Sequence, residues 1–390
     1  MKTVKINLLI IFGLMINACY QSVEKEINTS ECIPPLYNVA IPVVPKGAGT
    51  VKPREIPPQG NWSELDALPF PQNEIGTIYM RPFQNELWLT TKNGLYRYFM
   101  DKKEWRSYQF SDPTSIKPTI LFVSNKSAIW GVKTRFTGSS TNEMSSPFLL
   151  RFNDALDRFE YVEDSSGFLK TPDVRLVSNI VEDQNGLLWF FVDHGKSTLI
   201  SFDPETERSR QHFVFDVTGV NPDMAIGLDD SIWFEDYFNE ELVRYIPSTQ
   251  ETQRIKMQPQ DVSTIQLVDS FRKANYIFVD RMGRLWVANY GWLDLSNENF
   301  PLWHKVVESP VFITDRGLPD TEYMMGFQYS TYQSSNGLYW FTGGNGIVRL
   351  DYEKGEWCLI TTGVSKVVED NDHNLWIAVY GNLYKNSHGK

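Results

Sequence analysis

Seven tryptophans, Trp88, Trp130, Trp189, Trp233, Trp286, Trp340 and Trp376, sit in one recurring local context. An apolar residue precedes each, usually after a polar turn. A short apolar stretch follows, and in most copies then a segment such as Gly94-Leu95-Tyr96-Arg97-Tyr98 or Gly346-Ile347-Val348-Arg349-Leu350. The spacing runs from 36 residues, between Trp340 and Trp376, to 59, between Trp130 and Trp189. A unit of that size cannot bury its own apolar face, so such units stack or close into a ring. The 390 residues are therefore expected to form one large repeat domain rather than two or three ordinary ones.

The third repeat displays the pattern most fully. Residues 177–183 read as an apolar inner strand, Gln184-Asn185-Gly186 as a tight turn, and 187–192 as a second strand carrying Trp189. Residues 199–203 read as a third strand and 210–215 as an outer fourth, after the turn Pro204-Glu205-Thr206. Four short antiparallel strands make one propeller blade. The first repeat (77–80, 86–90, 94–98, 105–110) and the sixth (339–342, 347–351, 357–361) follow suit. The second carries a Ser-, Thr- and Asn-rich insert, 134–146, expected as a surface loop.

The last repeat supplies only three strands, 363–370, 374–379 and 382–385. Upstream of the first repeat lies Asn61-Trp62-Ser63-Glu64-Leu65, whose tryptophan resembles Trp105 and Trp357 of the outer strands. A strand from this segment would close the last blade and remove the open edges of the ring. The fold expected over residues 61–390 is thus all-β: a seven-bladed β-propeller of four-stranded antiparallel blades, the last closed by an N-terminal strand.

Lys2 and Lys5 precede an apolar run, 6–15, too short to span a bilayer and fitting a secretory signal. The run ends in Ile16-Asn17-Ala18-Cys19, which resembles the lipobox of bacterial lipoproteins. That resemblance implies a signal peptide over 1–18, lipidation of Cys19, and an exported protein anchored to a membrane in the periplasm or at the cell surface. Tyr20, in place of the Asp that often retains such proteins at an inner membrane, favours an outer membrane. Residues 19–60 are proline-rich, with Pro34, Pro35, Pro42, Pro45, Pro53, Pro57 and Pro58, and read as a semi-rigid tether. Export permits a disulfide between Cys32 and Cys358, which spacing alone does not decide.

The net charge of -11 and pI near 5.1 argue against nucleic acid, whose binding needs clustered Lys and Arg. Phrases such as Val181-Glu182-Asp183-Gln184-Asn185-Gly186-Leu187-Leu188-Trp189 and Val368-Glu369-Asp370-Asn371-Asp372-His373-Asn374-Leu375-Trp376 resemble the two-component regulator propeller repeat. That family implies a seven-bladed propeller outside the cytoplasm with a sensing or binding role. With no kinase, transcription-factor or spanning segment among these residues, signalling is expected to need a partner. The repeats also resemble those of virginiamycin B lyase, through the shared blade pattern and not through catalytic positions.

In such a ring the loops between second and third strands converge on one face. They offer Lys92, Lys133, Arg135, Asp193, His194, Glu235, Asp236, Tyr237, Asn289, Tyr290, Trp292, Asn345 and Tyr380. Charges beside amphipathic rings suit a carbohydrate, a peptide or a protein ligand. Lys133, Arg135, His194, Asp236, Tyr237, Tyr290, Trp292 and Tyr380 are the ligand-binding candidates, with Trp292 expected in a loop as a stacking platform. The plainer reading is a solvated rim. His194 with Asp193 and Asp236 is the nearest approach to an acid and base set. His304, His373 and His388 fall elsewhere, so no metal site and no cofactor are expected. Asp370-Asn371-Asp372-His373-Asn374 alternates oxygen ligands as calcium loops do, but reads as a strand-joining turn.

The leading functional expectation is a non-enzymatic ligand-binding or protein-interaction module at the cell envelope, sensor-like and lipid-anchored. The alternative is a lyase or hydrolase using the same loop face, and a third is a scaffold presenting the 134–146 insert.

Overall fold

The residues on either side of each tryptophan face the opposite way from it along a strand, and both faces must be covered. In the strand Glu86–Thr91, Trp88 packs with Phe152 and Phe159 of the following repeat, while Leu87 and Leu89 pack with Val368, Trp376 and Leu383 of the last. A strand buried on both faces requires blades standing side by side. The outer strands, such as Glu251–Lys256, are polar and exposed. This gradient from apolar inner strands to polar outer ones sets the radial order.

The computed structural model describes residue 58 and residues 60–65, 68–70, 75–91, 94–109, 120–132, 149–170, 175–176, 179–193, 195–214, 223–236, 239, 241–257, 277–287, 291–295, 303–304, 330–343, 346–361, 366–379 and 381–387. They form seven antiparallel sheets, one per tryptophan, and the chain is a seven-bladed β-propeller. The first blade runs Ile75–Arg81, Glu86–Thr91, Gly94–Phe99 and Glu104–Gln109 in simple meander order. Four other blades repeat that order. The insert 134–146 lies outside the described residues.

Two blades depart from the meander. In the third, the inner strand expected over 177–183 is split: Arg175–Leu176 and Val181–Glu182 each pair with Leu188–Asp193. Between them Asn179 turns its side chain to the neighbouring blade, donating from Nδ2 to the Met224 carbonyl (3.0 Å) and accepting from the Met224 amide (3.1 Å). The last blade comprises Val368–Glu369, Leu375–Val379, Asn382–Asn386 and, from the far end of the chain, Trp62–Glu64. Trp62 pairs with Asn386 and Glu64 with Tyr384, so the N-terminal strand completes the ring as expected. Trp62 also meets Trp340 of the sixth blade edge to face, centroids 6.1 Å apart.

In blades three, five, six and seven the turn before the tryptophan uses one device, with a variant of it in blade four. Asp183 accepts the amides of Asn185 (2.9 Å) and Leu187 (3.0 Å) and the indole N–H of Trp189 (2.8 Å). Gly186, at φ 84°, takes the left-handed conformation that the turn needs. Asp280 and Asp370 hold Trp286 and Trp376 in the same way, at 2.8 and 2.9 Å. Ser334 does so through its hydroxyl at 3.1 Å, and Ser231, only two residues before Trp233, at 2.9 Å. The stretch 370–374 is therefore a turn whose carboxylate is occupied by Asn374 and Trp376.

Candidate functional site

The meander gives the ring two unlike faces. Turns from first to second and from third to fourth strands lie on one, the turn face. Loops from second to third strands and the blade-to-blade connections lie on the other, the loop face.

Side chains link the turn face around the ring. Asn371 of the last blade donates to the Pro82 carbonyl of the first. Arg81 donates from Nε to the Ser127 carbonyl (2.7 Å) and grips Asp154 with both terminal nitrogens (2.7 and 2.6 Å), holding that carboxyl below its usual range. Glu182 accepts the Asn125 amide. Gln184 reaches the Leu228 carbonyl (2.8 Å), Arg281 donates its amide to Gln333 (3.0 Å), and Glu369 accepts from Tyr332 (2.7 Å) and the Ser335 amide (2.8 Å). These side chains are committed to holding blades together.

On the loop face, Lys133, Arg135, His194, Tyr237, Tyr290 and Tyr380 lie outside the described residues, as do Cys19 and Cys32. Asp193 is buried at the end of its strand. Asp236 is buried and engaged: Arg254 Nη1 of the outer strand donates to it at 2.6 Å, and Asn239 Nδ2 at 2.9 Å. Trp292 departs from expectation. It lies not in a loop but on the strand Gly291–Asp294, opposite Trp286, because only 288–290 separate the two strands. Its indole is buried against Trp286 and Tyr352, with the Arg284 guanidinium 5.3 Å from its centroid, so its surface is spent on packing between blades. Cys358 is buried and disulfide-bonded, its partner lying outside the described residues.

Aligned on their tryptophans, the repeats share one further position, away from the loops. Two residues before the one paired with the tryptophan, the innermost strands carry Thr77, Ile120, Asn179, Asp223, Ser330 and Lys366, the fifth blade's equivalent, 276, lying outside the described residues. All lie at the loop-face end of the central channel that a propeller encloses. Asn179 reaches the next blade at Met224. Asp223 Oδ2 accepts the Ile277 amide of the next blade at 3.1 Å. Lys366 Nζ stands 4.5 Å from the Tyr79 ring centroid, again on the next blade. Asp223 and Lys366 are surrounded by protein yet keep part of their surface accessible, as side chains on a channel wall do. Burial pushes the Asp223 carboxyl up to about 7, against the lowering effect of the Ile277 and Met224 amides, and pulls the Lys366 ammonium down to about 8. Both groups change charge close to neutral pH, a property that gathers at functional sites.

A further histidine lies between the third and fourth blades. His212 shares hydrogen bonds with Ser201 Oγ (2.7 Å, through Nε2) and Tyr245 OH (3.0 Å, through Nδ1), its ring 4.7 Å from that of Trp189. Burial and the nearby Arg210 lower its pKa to about 4. At neutral pH it is an uncharged pin between blades. Among the described residues, no three His, Cys, Asp or Glu side chains gather as metal ligands would.

No protein-family model matches the chain, and no curated protein matches it in sequence. Among solved structures it is similar to a streptogramin B lyase, with TM-score 0.55, 15% identity, and 83% of this chain and 96% of that one covered. Similar too is the virginiamycin B lyase of Staphylococcus aureus, with TM-score 0.53, 16% identity, and 83% and 98% covered. The extracellular domain of a hybrid two component system of B. thetaiotaomicron gives TM-score 0.56 and 15% identity; 82% of this chain spans 40% of that longer one. Both propeller families that the repeats resemble thus share the fold. At this identity the likeness establishes architecture and leaves the chemistry to the site.

Proposed function

We propose that the chain is a non-enzymatic, lipid-anchored ligand-binding module of the cell envelope, binding at the loop-face mouth of its channel. One observation carries this reading. Scaffold positions repeat from blade to blade, whereas the channel-wall position holds an amide, an acid, a base and two hydroxyls in Asn179, Asp223, Lys366, Thr77 and Ser330, beside an aliphatic residue, Ile120, in the second blade. Uniform pinning of blades would need no such variety. A polar ligand is read by convergent groups of differing chemistry. The loops above, with Lys133, Arg135, His194, Tyr237, Tyr290 and Tyr380, would complete the contacts to a carbohydrate, peptide or protein. That a propeller of this kind forms the extracellular domain of a two component system supports a sensing role outside the cytoplasm.

The second reading is a lyase or hydrolase on the same face, favoured by the lyases of like fold and by His194 beside Asp193. Asp236 contributes little to it as a base, since Arg254 already holds its carboxylate. Ligands found by a glycan and peptide array screen separate the two. Under the binding reading the bound molecule is recovered unchanged, both from the parent and from the His194→Ala/Asp236→Asn variant. Turnover by the parent that the variant loses would replace binding with catalysis.

A further inference from the structure

Asp223 and Lys366 occupy the same register position, two residues before the partner of the blade's tryptophan, and so stand at one level of the channel. Asp223 belongs to the fourth blade and Lys366 to the seventh, three blades away in one direction around the ring and four in the other. An acid and a base therefore face each other nearly across the loop-face mouth. They are not an ion pair: burial raises the Asp223 carboxyl against the pull of the Ile277 and Met224 amides, burial lowers the Lys366 ammonium, and neither group offsets the other. What separates them is the channel itself.

Both groups are set in place by neighbouring blades. Asn179 of the third blade holds the amide and the carbonyl of Met224, the residue after Asp223, at 3.1 and 3.0 Å, and Asp223 Oδ2 accepts the Ile277 amide of the fifth blade at 3.1 Å. A carboxylate has room for further donors beside these. The Lys366 ammonium stands over the Tyr79 ring of the first blade at 4.5 Å, a contact that favours its charged form, and it carries three donors. Ser330 and Thr77 flank it at the same level on the sixth and first blades, and both bring hydroxyls. The wall is thus divided. A cation between hydroxyls on one side suits an anion, and a carboxylate on the other suits an ammonium.

We propose, on the binding reading above, that the channel mouth takes a small zwitterion, a free amino acid or a short peptide, with its carboxylate on Lys366 and its ammonium on Asp223. Each end of such a ligand meets a partly buried group of opposite charge. The two protein charges are then compensated together, and neither end of the ligand is desolvated unpaired. A neutral sugar leaves both charges uncompensated, and a simple carboxylate or amine compensates one. Because the pinned blades fix the gap between the two groups, the length of the ligand is read as well as its charge.

Calorimetric titration of the Cys19→Ser chain tests this with the proteinogenic amino acids, di- and triglycine, and linear amino carboxylates of increasing chain length. Zwitterions of one length, or of a narrow range, are expected to bind. Blocking either end of the best one, by N-acetylation or methyl esterification, should weaken it at least about tenfold, or about 1.4 kcal/mol. Lys366→Met should bind the free acid and the ester alike, and Asp223→Asn the free amine and the acetamide alike, a loss of discrimination that a merely structural change would not produce. Equal binding of blocked and free ligand by the parent overturns the assignment, as does absence of binding across the series. If the series fails while a ligand from the array screen weakens in Lys366→Met/Asp223→Asn, the zwitterion is refuted and the channel-mouth reading stands. If that ligand is indifferent to the substitutions, the channel-mouth reading falls as well.

Discussion

The indole N–H of Trp189 donates to the carboxylate of Asp183 at 2.8 Å, six residues earlier in the same hairpin. That bond couples the residue that fills the space between blades to the turn that starts the second strand. Asp183→Ala would strip acceptors from two turn amides and from a buried indole N–H. A loss of about 2 to 4 kcal/mol is expected, since each orphaned buried donor costs about 1–3 kcal/mol. Asp183→Ser should recover part of it, as Ser334 already accepts from Trp340 at 3.1 Å. Urea unfolding of the two variants checks the order, and equal losses would contradict it.

His212 makes acid stability a test of the interface between the third and fourth blades. The unfolded chain takes up this proton near pH 6.5, whereas the native ring stays neutral down to about 4. Its stabilising contribution is therefore complete above 6.5 and is lost as pH falls from 6.5 toward 4, by less than the roughly 3.4 kcal/mol that 1.36 kcal/mol per pH unit would give, since solvent screens this half-buried ring. Asp223 acts oppositely: with its carboxyl raised to about 7, its contribution declines as pH rises from 3.8 to 7. Comparing the parent with His212→Gln, whose amide can still bond Ser201 and Tyr245, isolates the first effect. Matching pH slopes in the two proteins would remove His212 from the account.

Cys358 is disulfide-bonded, and the chain's other cysteines are Cys19 and Cys32. If Cys19 carries lipid, a digest under non-oxidising, non-reducing conditions should contain a peptide linking Cys32 to Cys358. A Cys19–Cys358 peptide would contradict the anchor. Cys19→Ala should likewise move the protein out of the membrane fraction.

Ring closure by Trp62–Glu64 predicts that removing this strand exposes the edge of Asn382–Asn386. A chain lacking residues 61–65 should exchange the amides of the last blade first, ahead of the third and fourth. Exchange spread evenly over the blades would mean that the strand is not what closes the ring.

The architecture was legible because each blade must repeat a tryptophan, a turn and two buried strands, and the chain writes these every few dozen residues. Trp62 was recognisable as a borrowed outer strand for the same reason. Trp292 was misplaced because Asn289, Tyr290 and Gly291 resemble a longer loop, while the actual connection spans only 288–290 and the indole falls back into a strand. The unbroken inner strand expected in the third blade ignored a contact that local pattern does not contain, the grip of Asn179 on Met224 forty-five residues away. The Ser201, His212 and Tyr245 bonds cross between blades in the same manner. No local motif marks Asp223 or Lys366. Only alignment of all the repeats on their tryptophans shows that they share one position on the channel wall.

The most direct measurement takes the Cys19→Ser chain through the array screen and then titrates the ligand it selects against the parent and a Lys366→Met/Asp223→Asn variant. Binding at the channel mouth predicts affinity weakened at least about tenfold, or about 1.4 kcal/mol, with unfolding behaviour close to that of the parent and the ligand recovered intact. Unchanged affinity in the variant, or a ligand converted to product, would contradict it.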